Sequence, residues 1–231
     1  MINELYTILL IIIGLSTPII GTKYKLKGLQ FSVIILTLST TILSGFLYKS
    51  FGLTMSAGVP LFAAIFLSTD LIGEFYGKKK GMQTIIVTFS ANIILLTLGY
   101  LVSRMIPIEP IGVSQAIHTL FTFIPRLLLG GLIAFIVSQT IDVYLFEKFR
   151  KKTQGKKLWL RNTGSTTISQ LVDTAIIVTI AYANILDFSQ LISLFISVYL
   201  IKFFIAIIDT PFCYLGRIIA KRNGITREVD Y

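Results

Sequence analysis

Cysteine, histidine and tryptophan each occur once in this chain of 231 residues, as Cys213, His118 and Trp159. A lone cysteine forbids an intrachain disulfide and a multi-cysteine metal site. A lone histidine leaves no His-x-x-x-His pair for zinc. No Gly-x-x-x-x-Gly-Lys-Ser/Thr phosphate loop occurs, which removes ATP hydrolysis by that route. Acids are scarce too, with 11 aspartates and glutamates against 21 lysines and arginines and a net charge of +10. An intramembrane enzyme would lack its usual catalytic set here. The chain is therefore read as a non-enzyme with no cofactor and no metal site.

Apolar sequence is what the chain has in abundance: 54% of residues are hydrophobic and the mean hydropathy is +0.81. Several runs reach the roughly 20 residues needed to span a bilayer. The sequence predicts an all-α polytopic membrane protein, a single integral domain over 1–231 built as a compact bundle of six to seven transmembrane helices. Segments are expected at about 4–21, 29–49, 53–76, 82–103, 117–146, 162–185 and 189–216. The first run lacks the basic flank and small-x-small cleavage site of a signal peptide, so it is expected to remain as a helix.

Basic residues crowd alternate connectors. Lys23, Lys25 and Lys27 follow the first segment, and Lys78, Lys79 and Lys80 follow the third. Lys148, Arg150, Lys151, Lys152, Lys156, Lys157 and Arg161 follow the fifth, and Arg217, Lys221, Arg222 and Arg227 lie in the tail. The connectors between them hold only Lys49 and Arg104. Positive residues favour the cytoplasmic side. This places the amino terminus outside and the carboxyl terminus in the cytoplasm of a bacterial cytoplasmic (inner) membrane, and an odd number of crossings follows. The charge is then topogenic and attractive to anionic lipid, with no nucleic-acid partner.

Seven charged residues fall inside apolar segments: Asp70, Glu74, Arg126, Asp142, Asp173, Lys202 and Asp209. Ionisable groups at membrane depth are costly and mark substrate or ion pathways. Asp70 and Glu74 are one helical turn apart on one face, and Lys202 and Asp209 are two turns apart. Ser138-Gln139-Thr140-Ile141-Asp142 recurs as Ser169-Gln170-Leu171-Val172-Asp173 on the next segment. Consecutive segments reverse direction, so the two copies are approached from opposite ends, as in inverted-repeat transporters. Pro60, Pro125 and Pro211 are expected to free backbone carbonyls at kinks near the site. Asp70, Glu74, Gln139, Asp142, Gln170 and Asp173 are expected to converge on one cavity in the cytoplasmic half, with Arg126 and Lys202 beside them, and to carry a small polar molecule.

Ser68-Thr69-Asp70-Leu71-Ile72-Gly73-Glu74-Phe75-Tyr76-Gly77-Lys78-Lys79, following Pro60, resembles the signature of the queuosine precursor transporter family, also called the vitamin uptake transporter family. Arg161-Asn162 through Ser169-Gln170-Leu171-Val172-Asp173-Thr174 resembles its second signature, and Ser138-Gln139-x-x-Asp142 fits as well. The similarity covers most of the chain. It implies import of 7-cyano-7-deazaguanine or 7-aminomethyl-7-deazaguanine by a secondary carrier or facilitator. The substrate-binding candidates are Asp70, Glu74, Tyr76, Arg126, Gln139, Asp142, Asn162, Gln170, Asp173, Lys202 and Asp209. A carboxylate can accept both donors of a deazaguanine edge, while an amide or a basic group serves O6. The partners expected are a small purine-like substrate, membrane lipid and a coupling proton, and a homodimer is compatible with the pattern. The alternative is a substrate-binding subunit energised by a separate ATP-driven module. Such subunits usually show an Ala-x-x-x-Ala docking face on the first helix, which Leu9-Leu10-Ile11-Ile12-Ile13-Gly14-Leu15 lacks.

Overall fold

A computed structural model describes residues 2–108, 112–123, 125–183 and 186–225. Among them, five continuous apolar stretches are long enough to cross a bilayer: Ile2–Leu43, Val59–Ser103, Leu129–Lys152, Leu158–Tyr182 and Phe188–Arg222. Two of these fold back on themselves, which turns five stretches into seven crossings.

The first stretch holds α1 (Ile2–Gly21) and α2 (Lys25–Leu43), separated by a 3-10 turn at Thr22–Tyr24. Ser32 donates to the Thr17 carbonyl at 3.3 Å, a contact between residues fifteen apart that only a reversal permits. Small residues let the two backbones touch. A Cβ on Gly28 would run into the Gly21 carbonyl.

The second stretch is α3 (Val59–Ser103), whose 45 residues would reach roughly 68 Å if straight, about twice the bilayer core. It is broken at Gly77, where φ is 77° and ψ is 170°. Side chains with a Cβ essentially never adopt that conformation. The partners of the two arms show that they are antiparallel. Gly58, at the start of the first arm, packs on Thr40 and Ser44 of α2. In the second arm, Thr84 accepts from Gln30 and Asn92 accepts from Thr41. The second arm therefore climbs back beside α2 to the level where the first began.

A two-stranded antiparallel hairpin, β1 (Leu47–Ser50) and β2 (Leu53–Ser56), joins α2 to α3. Both residues of its turn, Phe51 and Gly52, have positive φ, the geometry of a two-residue turn that matches strand twist. The hairpin is pinned to α1 by Asn3 donating to the Lys49 carbonyl and by hydrogen bonds between the Thr7 hydroxyl and those of Tyr48 and Ser50. Residues 47–50 and 53–56, expected within the segments 29–49 and 53–76, are strands and not part of the helices. Those ends leave the helical crossing and pair with each other, satisfying backbone groups that neighbouring helices do not reach.

The remaining elements are α4 (Gly112–His118), a π turn at Thr119–Phe123, α5 (Pro125–Lys152), α6 (Leu158–Tyr182) and α7 (Phe188–Arg222). Helix α7 starts on a capping box, in which Asp187 accepts from the Gln190 amide and the Gln190 side chain accepts from that of Asp187. Pro60 lies in the first turn of α3 and Pro125 opens α5. Both occupy positions where no helical N–H is needed, so the expected kinks are absent there. Pro211 sits inside α7.

Packing fixes the directions. Leu61 and Ala64 meet Gly14 of α1, Gly73 meets Phe146 of α5, and Leu71 meets Gly216 of α7. Hence α1, the first arm of α3, α5 and α7 run one way, while α2, the second arm and α6 run the other. The hairpin, residues 104–108 and Asp187 lie at one end. Lys23, Lys25 and Lys27, Lys78 to Lys80, the 153–157 connector and Arg217 lie at the other. The apolar core gathers on the first arm, where Leu61, Ile65, Leu71 and Ile72 are buried among α1, α2, α5 and α7.

Candidate functional site

Three layers of polar side chains are stacked along the first arm of α3, from the hairpin end to the basic end. The uppermost is a cavity of about 410 Å³. It extends from Ser44, Ser56 and Leu186 at the hairpin end to Asp173 and Lys202. Its walls are mainly apolar, with Phe62, Phe135, Ile177 and Val198, and one wall carries the Thr41–Asn92 hydrogen bond of 2.7 Å. At its floor, Lys202 Nζ lies 2.5 Å from Asp173 Oδ2 and 4.9 Å from the centre of the Phe62 ring. The carboxylate and the ring face both favour the ammonium at this depth.

The middle layer is built by the repeated motif. Ser138 donates to Asp173 Oδ1 at 3.1 Å, and Ser169 donates to Asp142 Oδ1 at 3.0 Å. The first residue of each copy thus binds the last residue of the other, a local two-fold exchange between antiparallel α5 and α6. Spacing explains it: Ser and Asp four residues apart project from one helix face, and reversing the partner helix brings each Ser opposite the other's Asp. Around this pair, Thr69 donates to Gln139 Oε1 at 3.1 Å and Asn162 donates to Asp209 Oδ1 at 2.9 Å. The Asp70 carboxyl abuts that of Asp142, with Asp209 near both. Both oxygens of Asp70, Oδ2 of Asp142, Oδ2 of Asp209 and Oε1 of Gln170 are buried without a hydrogen-bond partner among the described residues.

The third layer closes the basic end. Arg161 Nη2 lies 2.7 Å from both oxygens of Glu74, and its Nη1 donates to the Gly155 carbonyl at 2.9 Å. Arg217 Nε is 3.4 Å from Glu74 Oε1, and Arg150 Nη1 is 4.0 Å from Oε2. Arg150 also donates to the carbonyls of Gly73 and Glu74. One carboxylate on α3 therefore ties together α5, α6 and α7 just before the Gly77 reversal.

The candidates do not share one cavity. Asp173 and Lys202 line the one toward the hairpin end; Asp70, Gln139, Asp142, Asn162, Gln170 and Asp209 form the layer beneath; Glu74 belongs to the basic closure. Tyr76 is half-buried against the apolar core. The side chain of Arg126 lies outside the described residues. Among the described residues, no group of three or more His, Cys, Asp or Glu is placed to hold a metal ion.

The family described as "Putative vitamin uptake transporter" matches residues 56–216, from the last residue of β2 through most of α7 and so across all three layers. The chain belongs to this family. A family relative in Bacillus subtilis (strain 168), a "Probable queuosine precursor transporter", is 40% identical over 171 residues, which are 72% of this chain and 73% of the relative. A second of that name in Haemophilus influenzae (strain ATCC 51907 / DSM 11121 / KW20 / Rd) is 28% identical over 130 residues, 56% of this chain and 53% of its own length. A "Queuosine precursor transporter" of Escherichia coli (strain K12) is 27% identical over 121 residues, 52% of each chain. No solved structure matches the chain.

Sequence reasoning missed the arginine closure. Arg150, Arg161 and Arg217 sit at helix ends among topogenic lysines, and the charge asymmetry accounts for them without further roles. The available signal was residue type, since arginine suits a buried bidentate pair where lysine does not. Asn92 and Phe62 were missed because nothing in their surroundings separates them from lipid-facing sequence.

Proposed function

We propose that this protein imports queuosine precursors, 7-cyano-7-deazaguanine or 7-aminomethyl-7-deazaguanine, across the bacterial cytoplasmic membrane as a secondary carrier. Its amino terminus lies outside and its basic end faces the cytoplasm. The observation that carries this reading is the cavity of about 410 Å³ ending on a paired carboxylate and ammonium. Its volume falls in the roughly 300–1,000 Å³ range of small-molecule sites. The relatives' names supply the substrate class.

The chemistry matches the floor. Adjacent N1–H and 2-NH2 donors of a deazaguanine edge can engage one carboxylate in a fork, and Asp173 is the carboxylate that lines the cavity. Lys202, displaced from Asp173, is placed to serve O6. Phe62 and Phe135 offer faces to the ring. The arrangement corresponds to a carrier open toward the hairpin end and closed by Glu74 and its arginines at the basic end. Import then requires that closure to open once the base is seated, as alternating access demands. The stand-alone carrier is favoured over an ATP-energised subunit by α1, whose exposed face is bulky, with Leu5, Ile8, Leu9, Ile12 and Ile13.

The test is uptake of each labelled base by cells that lack queuosine synthesis and their own transporter, with and without this chain. Uptake of neither base refutes the reading.

A further inference from the structure

The local two-fold of the middle layer has unequal ends. At one end, Ser138 occupies Oδ1 of Asp173 and the Lys202 ammonium occupies Oδ2. At the other end, Ser169 occupies Oδ1 of Asp142, while Oδ2 is buried without a hydrogen-bond partner among the described residues, as are both oxygens of the neighbouring Asp70. The charged and titratable groups around that second end come from every helix packed on it: Asp70 and Glu74 on α3, Asp142 and Arg150 on α5, Arg161 on α6, Asp209 and Cys213 on α7. Arg161 and Arg150 are committed to Glu74 and to backbone carbonyls. Thus one carboxylate of the repeat has a built-in positive partner, and its counterpart is held by hydroxyls beside a second carboxyl.

Two abutting carboxyls in a low-dielectric interior make contact through a shared proton. Asp70 and Asp142 are each at most 1% exposed, and neither lines the cavity that holds Asp173 and Lys202. Asp209, on α7, is held at Oδ1 by Asn162, and its Oδ2 is buried without a hydrogen-bond partner among the described residues.

Resting on the carrier reading above, we infer that the Asp70–Asp142 contact is the coupling-proton site, while Asp173 and Lys202 serve the base. One proton enters from outside with each base and leaves to the cytoplasm when the Glu74 closure opens and separates α3 from α5. Nothing is oxidised or reduced, and the proton returns to water on the other side. The two-fold gives the division of labour its logic. A fixed ammonium balances Asp173 until the base displaces it, and a mobile proton balances Asp142 until the closure opens.

The experiment uses the full chain in vesicles loaded with a pH-sensitive dye, with labelled 7-cyano-7-deazaguanine added outside. Base uptake and internal acidification are recorded together. The expected result is acidification that tracks uptake in the wild type and is lost relative to uptake in Asp70→Asn and Asp142→Asn. A purely structural role for these residues would lower both signals together and leave their ratio unchanged, which overturns the inference. Wild-type uptake without acidification also overturns it, as does uptake driven by a sodium gradient at equal pH. Absence of any base uptake by the wild type refutes the carrier reading itself, and this inference with it.

Discussion

Replacing Glu74 by glutamine removes the negative charge that Arg150, Arg161 and Arg217 share among the described residues, while keeping its size. The side chain of Glu74 is 5% exposed and that of Arg161 is fully buried, whereas Arg217 is 30% exposed. The Arg217 contact is therefore screened and adds little. Breaking a buried pair by removing one partner costs about 3–5 kcal/mol, because it strands the other charge. Arg161 keeps its bond to the Gly155 carbonyl and Arg150 keeps its two backbone carbonyls, so the lower end of that range applies. For a chain of this size, about 3 kcal/mol corresponds to a Tm lower by roughly 6–12 °C. The same loss should loosen the basic end. The check is thermal unfolding in detergent, paired with solvent accessibility of a cysteine placed at Gly155 on a Cys213→Ser background. A Glu74→Gln variant with wild-type Tm and unchanged accessibility would refute the closure as an ion-pair lock.

Three further outcomes follow from the fold. Gly77→Ala should lower membrane abundance, because a Cβ at φ 77°, ψ 170° costs about 1–3 kcal/mol; western quantification against wild type checks this. Hydrogen bonds from Gln190 and Ser189 hold the Asp187 carboxyl below its ordinary value of 3.8, so its cap stabilises the protein at neutral pH and that support fades as pH falls through the lowered pKa. Asp187→Asn should flatten this part of the Tm-versus-pH curve between neutral and acid conditions. Single cysteines at Lys156 and Phe51, again without Cys213, should label from the cytoplasm and from outside respectively in intact cells, and the reverse pattern contradicts the orientation.

Much of the architecture was legible because hydrophobic runs and basic connectors report the same geometry. Lys78 to Lys80 mark a reversal that an apolar count alone merges into one 45-residue helix, and Gly77 supplies the backbone for it. The repeated Ser-Gln-x-x-Asp was legible for a similar reason. A period of four on antiparallel helices already contains the exchange of Ser138 with Asp173 and Ser169 with Asp142. The hairpin at 47–56 was not legible, since Leu47, Tyr48, Leu53 and Met55 suit a membrane helix as well as a strand. Asp70 and Glu74 were grouped because one turn separates them. One turn is also the thickness of a layer, and it carries Glu74 past Asp142 to the arginines. Pairing partners such as Asp173 with Lys202 depend on helix rotation, which a single sequence leaves open among several acids.

The central claim is that the Asp173–Lys202 pair forms the floor on which the base is recognised. Its most direct test is uptake of labelled 7-cyano-7-deazaguanine into vesicles by wild type, Asp173→Asn and the double variant Asp173→Asn/Lys202→Met. The single variant strands Lys202 and should lower protein yield; the double variant removes both charges and should restore it. Two charge-assisted hydrogen bonds at about 1.5–3 kcal/mol each imply that uptake falls at least about 100-fold in both variants, since each 1.4 kcal/mol is roughly tenfold. A well-folded double variant that takes up the base at the wild-type rate would contradict the account.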